Sequence, residues 1–329
     1  MVEEVAKNIY RIGVRLPNNP LRELNSYLIR DEEAGSLLID TGFRMEACRA
    51  DLLAGLEELG VDRTQMDLFL THLHSDHTGL APELIAPGRK IYISAVDRPG
   101  VEDEAQIAEH WAVMTEQFRT FGVPEDVLVQ MEADNPAVLG APEMGCKQYV
   151  SVNGGDVLNC GGYRLECIAT PGHTPGHLCL WAEEQQILFT GDHILFDITP
   201  NITSWPEMPD ALGAYLASLE RIRRLPVKLA LPGHRKSGDF ARRVTELQAH
   251  HHARLEETER LVRETPGQTV YEVAGQMQWS IRAKNWDEFP AAQKIFAIGE
   301  ACAHLDYLEA RGKLRKQQEH GLWRYTAVL

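Results

Sequence analysis

The chain has 329 residues, 44% hydrophobic and 25% charged, with a formal net charge of -15. That apolar share supports a buried core; no apolar run reaches the roughly 18 residues that a membrane span needs, and an acidic body repels nucleic acid at long range. The charge is uneven, with 13 Lys+Arg and 12 Asp+Glu in residues 240–329 against 20 and 36 in residues 1–239, which predicts a boundary near residue 240. The six cysteines are scattered without a C-x-x-C pair, as expected of reduced thiols in a cytoplasmic protein. The opening MVEEVAKNIYRIGV is acidic and does not read as a secretory signal.

In chain order, NIYRIGVRL (8–16) and NSYLIRD (25–31) predict short strands, and SLLIDTG (36–42) predicts an apolar strand with Asp40 at its tip. MEACRADLLAGLEELG (45–60) repeats apolar residues at helical spacing and stops at Gly60. MDLFLTHLH (66–74) is a strand, HTGLAPELIA (77–86) a helix and KIYISAVD (90–97) the next strand. This is the α/β arrangement in which sites form at strand ends. EDEAQIAEHWAVMTEQFRTFG (102–122) is an amphipathic helix with Ile107, Trp111, Met114 and Phe118 on one stripe, and 132–146 is loop-like. Together 102–146 read as a helical insertion that adds core packing, with a lid over a pocket as the second reading. Strands follow at 156–160, 163–171, 178–186 and 187–192, then a helix at 210–225 and a strand and tight turn, LALPGH, at 229–234. From Phe240 a long helix leads to TPGQ, two further helices near 270–279 and 291–312, and a β-hairpin over 312–328. Helices followed by a two-stranded wing predict a small winged-helix-like region over 240–329, after a catalytic region over 1–239.

THLHSDHTGL (71–80) crowds His72, His74, Asp76 and His77 into six positions. Two histidines two apart on an extended segment project to the same side, and a turn after the strand brings Asp76 and His77 round to a neighbouring point. Four such donors can serve two ions, each needing further ligands. Three later places supply candidates: His173 in ATPGHTPGH, Asp192 in LFTGDH and His234 in LALPGH. Each follows a β-like run beside a glycine that lets the backbone turn tightly, so each belongs to a strand-end loop as His72 does. His177 also sits in a TPGH and competes with His173; it is given a supporting or substrate-facing place. His193 reads as packing or support, and the run His250–His252 as a solvated helix face.

H-x-H-x-D-H, then TPGHTPGH, then TGD, then a PGH loop resembles the metallo-β-lactamase superfamily, in the order and spacing of its hydrolases, including hydroxyacylglutathione hydrolases (glyoxalase II). The likeness spans roughly residues 8–240. It implies an α/β fold, an αββα sandwich of two sheets between outer helices, with a metal site at one edge. By motif, His72, His74 and His173 would hold one ion, Asp76, His77 and His234 a second, and Asp192 would bridge them. Zinc suits these donors, with iron or manganese as alternatives. Metal-bound hydroxide is then the expected nucleophile, because coordination lowers the pKa of water from 15.7 to about 7; Asp76 could also orient it. The C-terminal region resembles the winged-helix tail of one hydrolase branch.

The leading expectation is an ester or thioester hydrolase acting on a small-molecule acyl substrate. The C-terminal region lacks a glutathione-binding pattern, so other acyl thioesters stay open. A phosphodiesterase or ribonuclease is the alternative, because Arg311, Lys313, Arg315, Lys316 and Arg324 lie on or beside the hairpin. Against it stand the acidic body and Glu300, Asp306 and Glu309 on the preceding helix; a basic hairpin that is solvated or packs on the acidic body is the blander reading. An iron-dependent oxidoreductase is the third expectation, opposed by the full second donor set. A β-lactamase proper would be secreted with a signal peptide. Phe296, Ile298, Ala301, His304, Leu305 and Leu308 are explained first by packing within the tail and second by a partner surface, such as that of a homodimer.

Overall fold

The computed structural model describes every residue except 134, 136, 137, 139, 281, 282, 284 and 329. The expected loop over 132–146 includes four of these, and that part lies outside the described residues. β1 (Val2–Ala6), β2 (Ile9–Arg15), β3 (Glu23–Ile29), β4 (Ser36–Ile39), β5 (Met66–Phe69), β6 (Ile91–Ser94) and β7 (Tyr149–Val152) form one sheet in sequence order. Pairing is antiparallel from β1 to β4 and parallel from β4 to β7. β8 (Val157–Cys160), β9 (Tyr163–Ala169), β10 (Leu178–Ala182), β11 (Ile187–Gly191) and β12 (Leu229–Pro232) form the second sheet, in the order β12-β11-β10-β9-β8.

The period-two alternation of side chains sorts the core into layers. Tyr27 and Ile29 of β3 and Leu178 and Leu180 of β10 meet between the sheets, whereas Leu24 and Leu28 face outward under α1 (Glu46–Glu58). Cys179 and Trp181 of β10 and Leu188 of β11 point the other way, into a cluster with Tyr215 and Leu219 of a later helix. The result is the αββα sandwich. β1 and β7, which the residue pattern did not mark as strands, are the two edges of the first sheet. An edge strand can be short and polar, as β1 is with Glu3 and Glu4 exposed.

The segment expected as one helix over 77–86 is two single turns, α2 (Ser75–Thr78) and α3 (Ala81–Leu84). A single turn, α4 (Pro99–Glu102), precedes the helix expected over 102–122, which is α5 (Glu104–Thr120); Asp103 leaves the helical conformation between them and caps α5 by accepting from the N–H groups of Ala105 and Gln106. α6 (Glu125–Ala133) follows. Met114, Phe118, Leu128 and Met131 of this insertion are buried in the core that also holds the C-terminal helices.

α7 (Ala211–Ile222) precedes β12; α8 (Phe240–Glu264), α9 (Val270–Gln276) and α10 (Ala291–Ala310) then lead to the hairpin β13 (Leu314–Glu319)–β14 (Leu322–Ala327). Its turn residues His320 and Gly321 both have positive φ, 50° and 83°, as a type I′ turn requires. Val244, Leu247, Ile298, Leu305 and Tyr325 belong to the same cluster as Trp181 and Tyr215, so the outer face of the second sheet and the C-terminal elements share one core. Among the described residues no helix is long and apolar enough to cross a membrane.

Two readings of this region change. His251 is fully buried on the stripe of α8 that faces α10, with Nδ1 3.2 Å from His304 Nε2, so the run His250–His252 is not a solvated face; only His252 is exposed. Glu300 and Asp306 do not share an acidic surface with Glu309. Asp306 pairs with Lys316 at 3.0 Å, and Glu300 faces Arg254 at 3.3 Å. Burial lifts the Glu300 carboxyl above its ordinary value, with Arg254 opposing. Arg254 also reaches Glu257 at 2.6 Å and the Gln278 carbonyl at 2.9 Å, and its side chain is 9% exposed. Arg254→Ala strands a largely buried carboxylate, so urea unfolding is expected to show a loss of about 3 kcal/mol. A change below about 0.5 kcal/mol, the scale of an ordinary surface substitution, would show that the pair contributes nothing.

Candidate metal centre

The strand-end loops converge. β5 delivers His72 and His74, the single turn α2 carries Asp76 and His77, the β9–β10 connection carries His173, and the ends of β11 and β12 supply Asp192 and His234. Three overlapping donor groups result: His72, His74 and His173; His72, His77 and Asp192; and Asp76, His77 and His234, with the donor atoms of each group within 4.8 Å of one another. Asp192 lies between the two halves: its Oδ2 is 3.8 Å from His173 Nε2 and 3.4 Å from His234 Nε2, and its Oδ1 is 3.5 Å from His77 Nε2. All seven residues named from the sequence therefore meet. Gly233 makes the approach possible, since a Cβ there would sit 2.5 Å from Asp192 Oδ1.

Four of the histidines engage Nδ1 outside the cluster. His77 donates to Asp40 Oδ2 at 2.7 Å, His173 to the Asn201 carbonyl at 2.7 Å and His234 to the Glu23 carbonyl at 2.8 Å. His72 Nδ1 meets Thr71 Oγ1 at 3.0 Å, and Thr71 in turn donates to Asp40 Oδ2 at 2.9 Å. Each Nδ1–H so fixed leaves Nε2 as the nitrogen aimed inward, the one a metal ligand uses. His74 instead turns Nδ1 toward His72 Nε2, 3.0 Å away. The Nε2 atoms of His77, His173 and His234 and Oδ1 of Asp192 are buried without a hydrogen-bond partner. Orphaned donor atoms pointing at one spot are costly unless a cation satisfies them.

The electrostatics agree. Burial disfavours charge on every member. Even so, Asp40, Asp192 and Asp76 raise His77 well above the ordinary imidazole value, and Asp192 and Asp76 raise His234. Against the same burial, His77 and His234 hold the Asp76 carboxyl down to about 2. In the other half, burial and neighbouring imidazoles push His72 well below its ordinary value, and burial with His173 takes His74 down to about 3. The carboxylate-rich half thus draws positive charge, and the imidazole-rich half offers neutral donors. Both properties fit divalent cations.

His177 is not in any donor group. It is fully buried, its Nδ1 is 2.8 Å from Thr170 Oγ1, and its ring stacks on His72 at 5.2 Å. It packs against the His72 ring, which is the supporting place expected for it. His193 is buried against Tyr215, with ring centroids 5.1 Å apart. Two carboxylates escaped the sequence reading of the site. Asp40 orients both His72, through Thr71, and His77. Asp97 accepts from Leu73 N at 3.1 Å, Thr174 Oγ1 at 2.6 Å and Gly176 N at 2.7 Å, tying the loop of His72 and His74 to that of His173. Burial pushes its carboxyl up to about 6 against these hydrogen bonds. Both follow apolar strand-like runs, which is the context that singled out Asp192 and His234. On the outer side, Trp205 stacks on His74 at 6.2 Å and meets His110 of α5 at 5.6 Å, so the insertion also reaches the rim of the site.

The chain is similar to known proteins. The family model described as "Metallo-beta-lactamase superfamily" matches residues 20–234, and "Metallo-beta-lactamase-like, C-terminal domain" matches residues 287–328. The chain is 30% identical over 216 residues to the hydroxyacylglutathione hydrolase GloC of Haemophilus influenzae, covering 64% of this chain and 84% of that protein. It is 26% identical over 235 residues to the lactamase-like protein aptB of Emericella nidulans, covering 71% of this chain but only 58% of that longer protein. A metallo-beta-lactamase family protein from Thermus thermophilus superposes with a TM-score of 0.80 at 28% identity, over 99% of this chain and 100% of that one. A beta-lactamase domain protein from Burkholderia ambifaria gives 0.82 at 25% identity, over 99% and 94%.

Proposed function

This chain belongs to the metallo-beta-lactamase superfamily, and on that premise we propose that it is a dinuclear metal-dependent hydrolase of esters or thioesters. The observation that carries the reading is the pair of buried donor sets meeting at Asp192, with the Nε2 atoms of His77, His173 and His234 and Oδ1 of Asp192 left without a hydrogen-bond partner. His72, His74 and His173 would hold one ion, Asp76, His77 and His234 the other, with Asp192 between them. Divalent ions bound there supply Lewis acidity and lower the pKa of coordinated water. The chain's own residues do the rest. Asp40 keeps the His72 and His77 imidazoles in their inward tautomers. Asp76 is the carboxylate placed to orient the attacking water. Trp205 and His110 shield the His74 side from solvent.

Thioesters lead because the relative at 30% identity is a hydroxyacylglutathione hydrolase. Zinc leads because imidazole and carboxylate are the donors. A nuclease is less favoured. Four of the five basic side chains on or beside the hairpin are held within the chain, Lys313 by Glu259 at 3.0 Å, Lys316 by Asp306 at 3.0 Å, Arg311 by Asp210 at 3.0 Å and Arg324 by the Gly267 carbonyl, whereas Arg315 is exposed. Zinc-loaded protein offered acyl thioesters, esters and phosphodiesters is expected to cleave a thioester or ester and to lose that activity on chelation. Cleavage confined to phosphodiesters would transfer the reading to the nuclease, and chelator-resistant turnover would remove the metal from it.

A further inference from the structure

The segment 194–208 leaves Asp192, crosses His173 and returns to α7, and it is fastened on both sides. Toward the metal centre, the Asn201 carbonyl accepts from His173 Nδ1 at 2.7 Å, and Trp205 Nε1 donates to the His173 carbonyl at 3.2 Å. Toward the C-terminal helices, Asn201 Nδ2 donates to the Phe296 carbonyl of α10 at 3.2 Å, and Arg243 of α8 donates to the carbonyls of Leu195 and Ile198 at 2.6 and 2.8 Å. α10 lies so close to the segment that a Cβ at Gly299 would collide with Thr203 Oγ1. One residue therefore spans the gap: Asn201 holds the imidazole with its backbone and the helix with its side chain.

We propose that Asn201 is a positioning residue that makes α10 part of the metal centre, fixing His173 for the first ion through its carbonyl while its carboxamide is anchored on the Phe296 carbonyl. The proposal rests on the reading of the site as a metal centre. The physical ground is that the outer partner of a ligating histidine sets both the ring's orientation and its basicity, and loss of such a partner typically costs 10–100-fold in metal affinity. A backbone carbonyl can serve only if its own segment is held. Without the carboxamide, the segment keeps its bond to His173 and its ties to Arg243 but loses the brace at Asn201 itself, the residue whose carbonyl orients the imidazole.

The test is competition titration of zinc against a chromogenic chelator, on the full chain. Asn201→Ala is expected to weaken one of the two zinc sites about tenfold or more, leaving the other as in the parent. Thr269→Ala serves as the comparison, because it removes the N-cap of α9, where Thr269 Oγ1 accepts from Glu272 N at 3.3 Å, and loosens the C-terminal region at an element outside the segment 194–208. It is expected to lower Tm without moving either zinc affinity. Parent-like binding of both ions by Asn201→Ala overturns the proposal, as does an equal weakening in Thr269→Ala, which would make the effect one of general loosening. A parent chain that binds no zinc overturns the reading of the site as well, whereas two zinc ions bound equally well by parent and Asn201→Ala overturn the brace alone.

Discussion

Asp192→Ala is expected to abolish both metal occupancy and turnover, the largest effect of any single substitution in the chain. No other side chain has carboxylate oxygens within 4.0 Å of imidazoles from both halves, His173 on one side and His77 and His234 on the other, among the described residues. Its removal takes a negative donor from each half at once. The fall in kcat/KM should be about 10³-fold or more, since the Lewis acid, the source of nucleophile and the charge stabiliser are lost together. Asp192→Asn keeps the volume and the hydrogen-bonding shape. A matching loss there, with metal content falling in parallel, assigns the effect to the carboxylate's charge. Metal analysis and initial rates on the same preparations decide it; full turnover with fewer metal ions would detach the chemistry from the cluster.

Asp40→Ala is expected to come next, although Asp40 belongs to no donor group. Its carboxylate accepts from Thr71 N at 2.9 Å, Thr71 Oγ1 at 2.9 Å and His77 Nδ1 at 2.7 Å, and it is 2% exposed. Alanine leaves three buried donors unpaired, which costs about 3 kcal/mol or more in stability. It also frees the imidazoles of His72 and His77, one from each half, to rotate or change tautomer. Affinity for both ions should therefore fall, by about 10–100-fold. Zinc titration separates this from Asn201→Ala, which should touch one ion only. If thermal denaturation shows the loss of stability but both zinc affinities hold, Asp40 is a structural brace and not an orienter of ligands.

Asp192 and Asp40 show where the sequence is readable and where it is not. His72, His74, Asp76 and His77 are legible because they are contiguous, and only a metal gives a reason for that crowding. His173, Asp192 and His234 follow because each closes a β-like run beside glycine. Asp40 and Asp97 occupy the same kind of place, but their work lies in hydrogen bonds to Thr71, His77, Leu73 and Thr174, which exist only once the loops have met. Asn201 carried no signal at all, since it acts through its backbone carbonyl and through a helix 95 residues away. The fold divides similarly. Central strands such as β4 and β11, buried on both faces, are apolar runs that announce themselves. The edges β1 and β7 do not, because one flank of each is open to solvent. His251 misled for the opposite reason. In a run of three histidines the helical phase alone decides which is inside, and α8 turns His251 onto the stripe with Val244, Leu247 and Leu255.

Cations completing the centre around Asp192 are what hydrolysis by this chain requires. The most direct measurement strips the purified chain with a chelator, removes the chelator, and adds zinc in steps while metal content and thioester or ester hydrolysis are followed together. Hydrolysis absent from the stripped protein and rising until two zinc ions are bound per chain is the predicted result. Undiminished hydrolysis by the stripped protein, or saturation without zinc being retained, would contradict it.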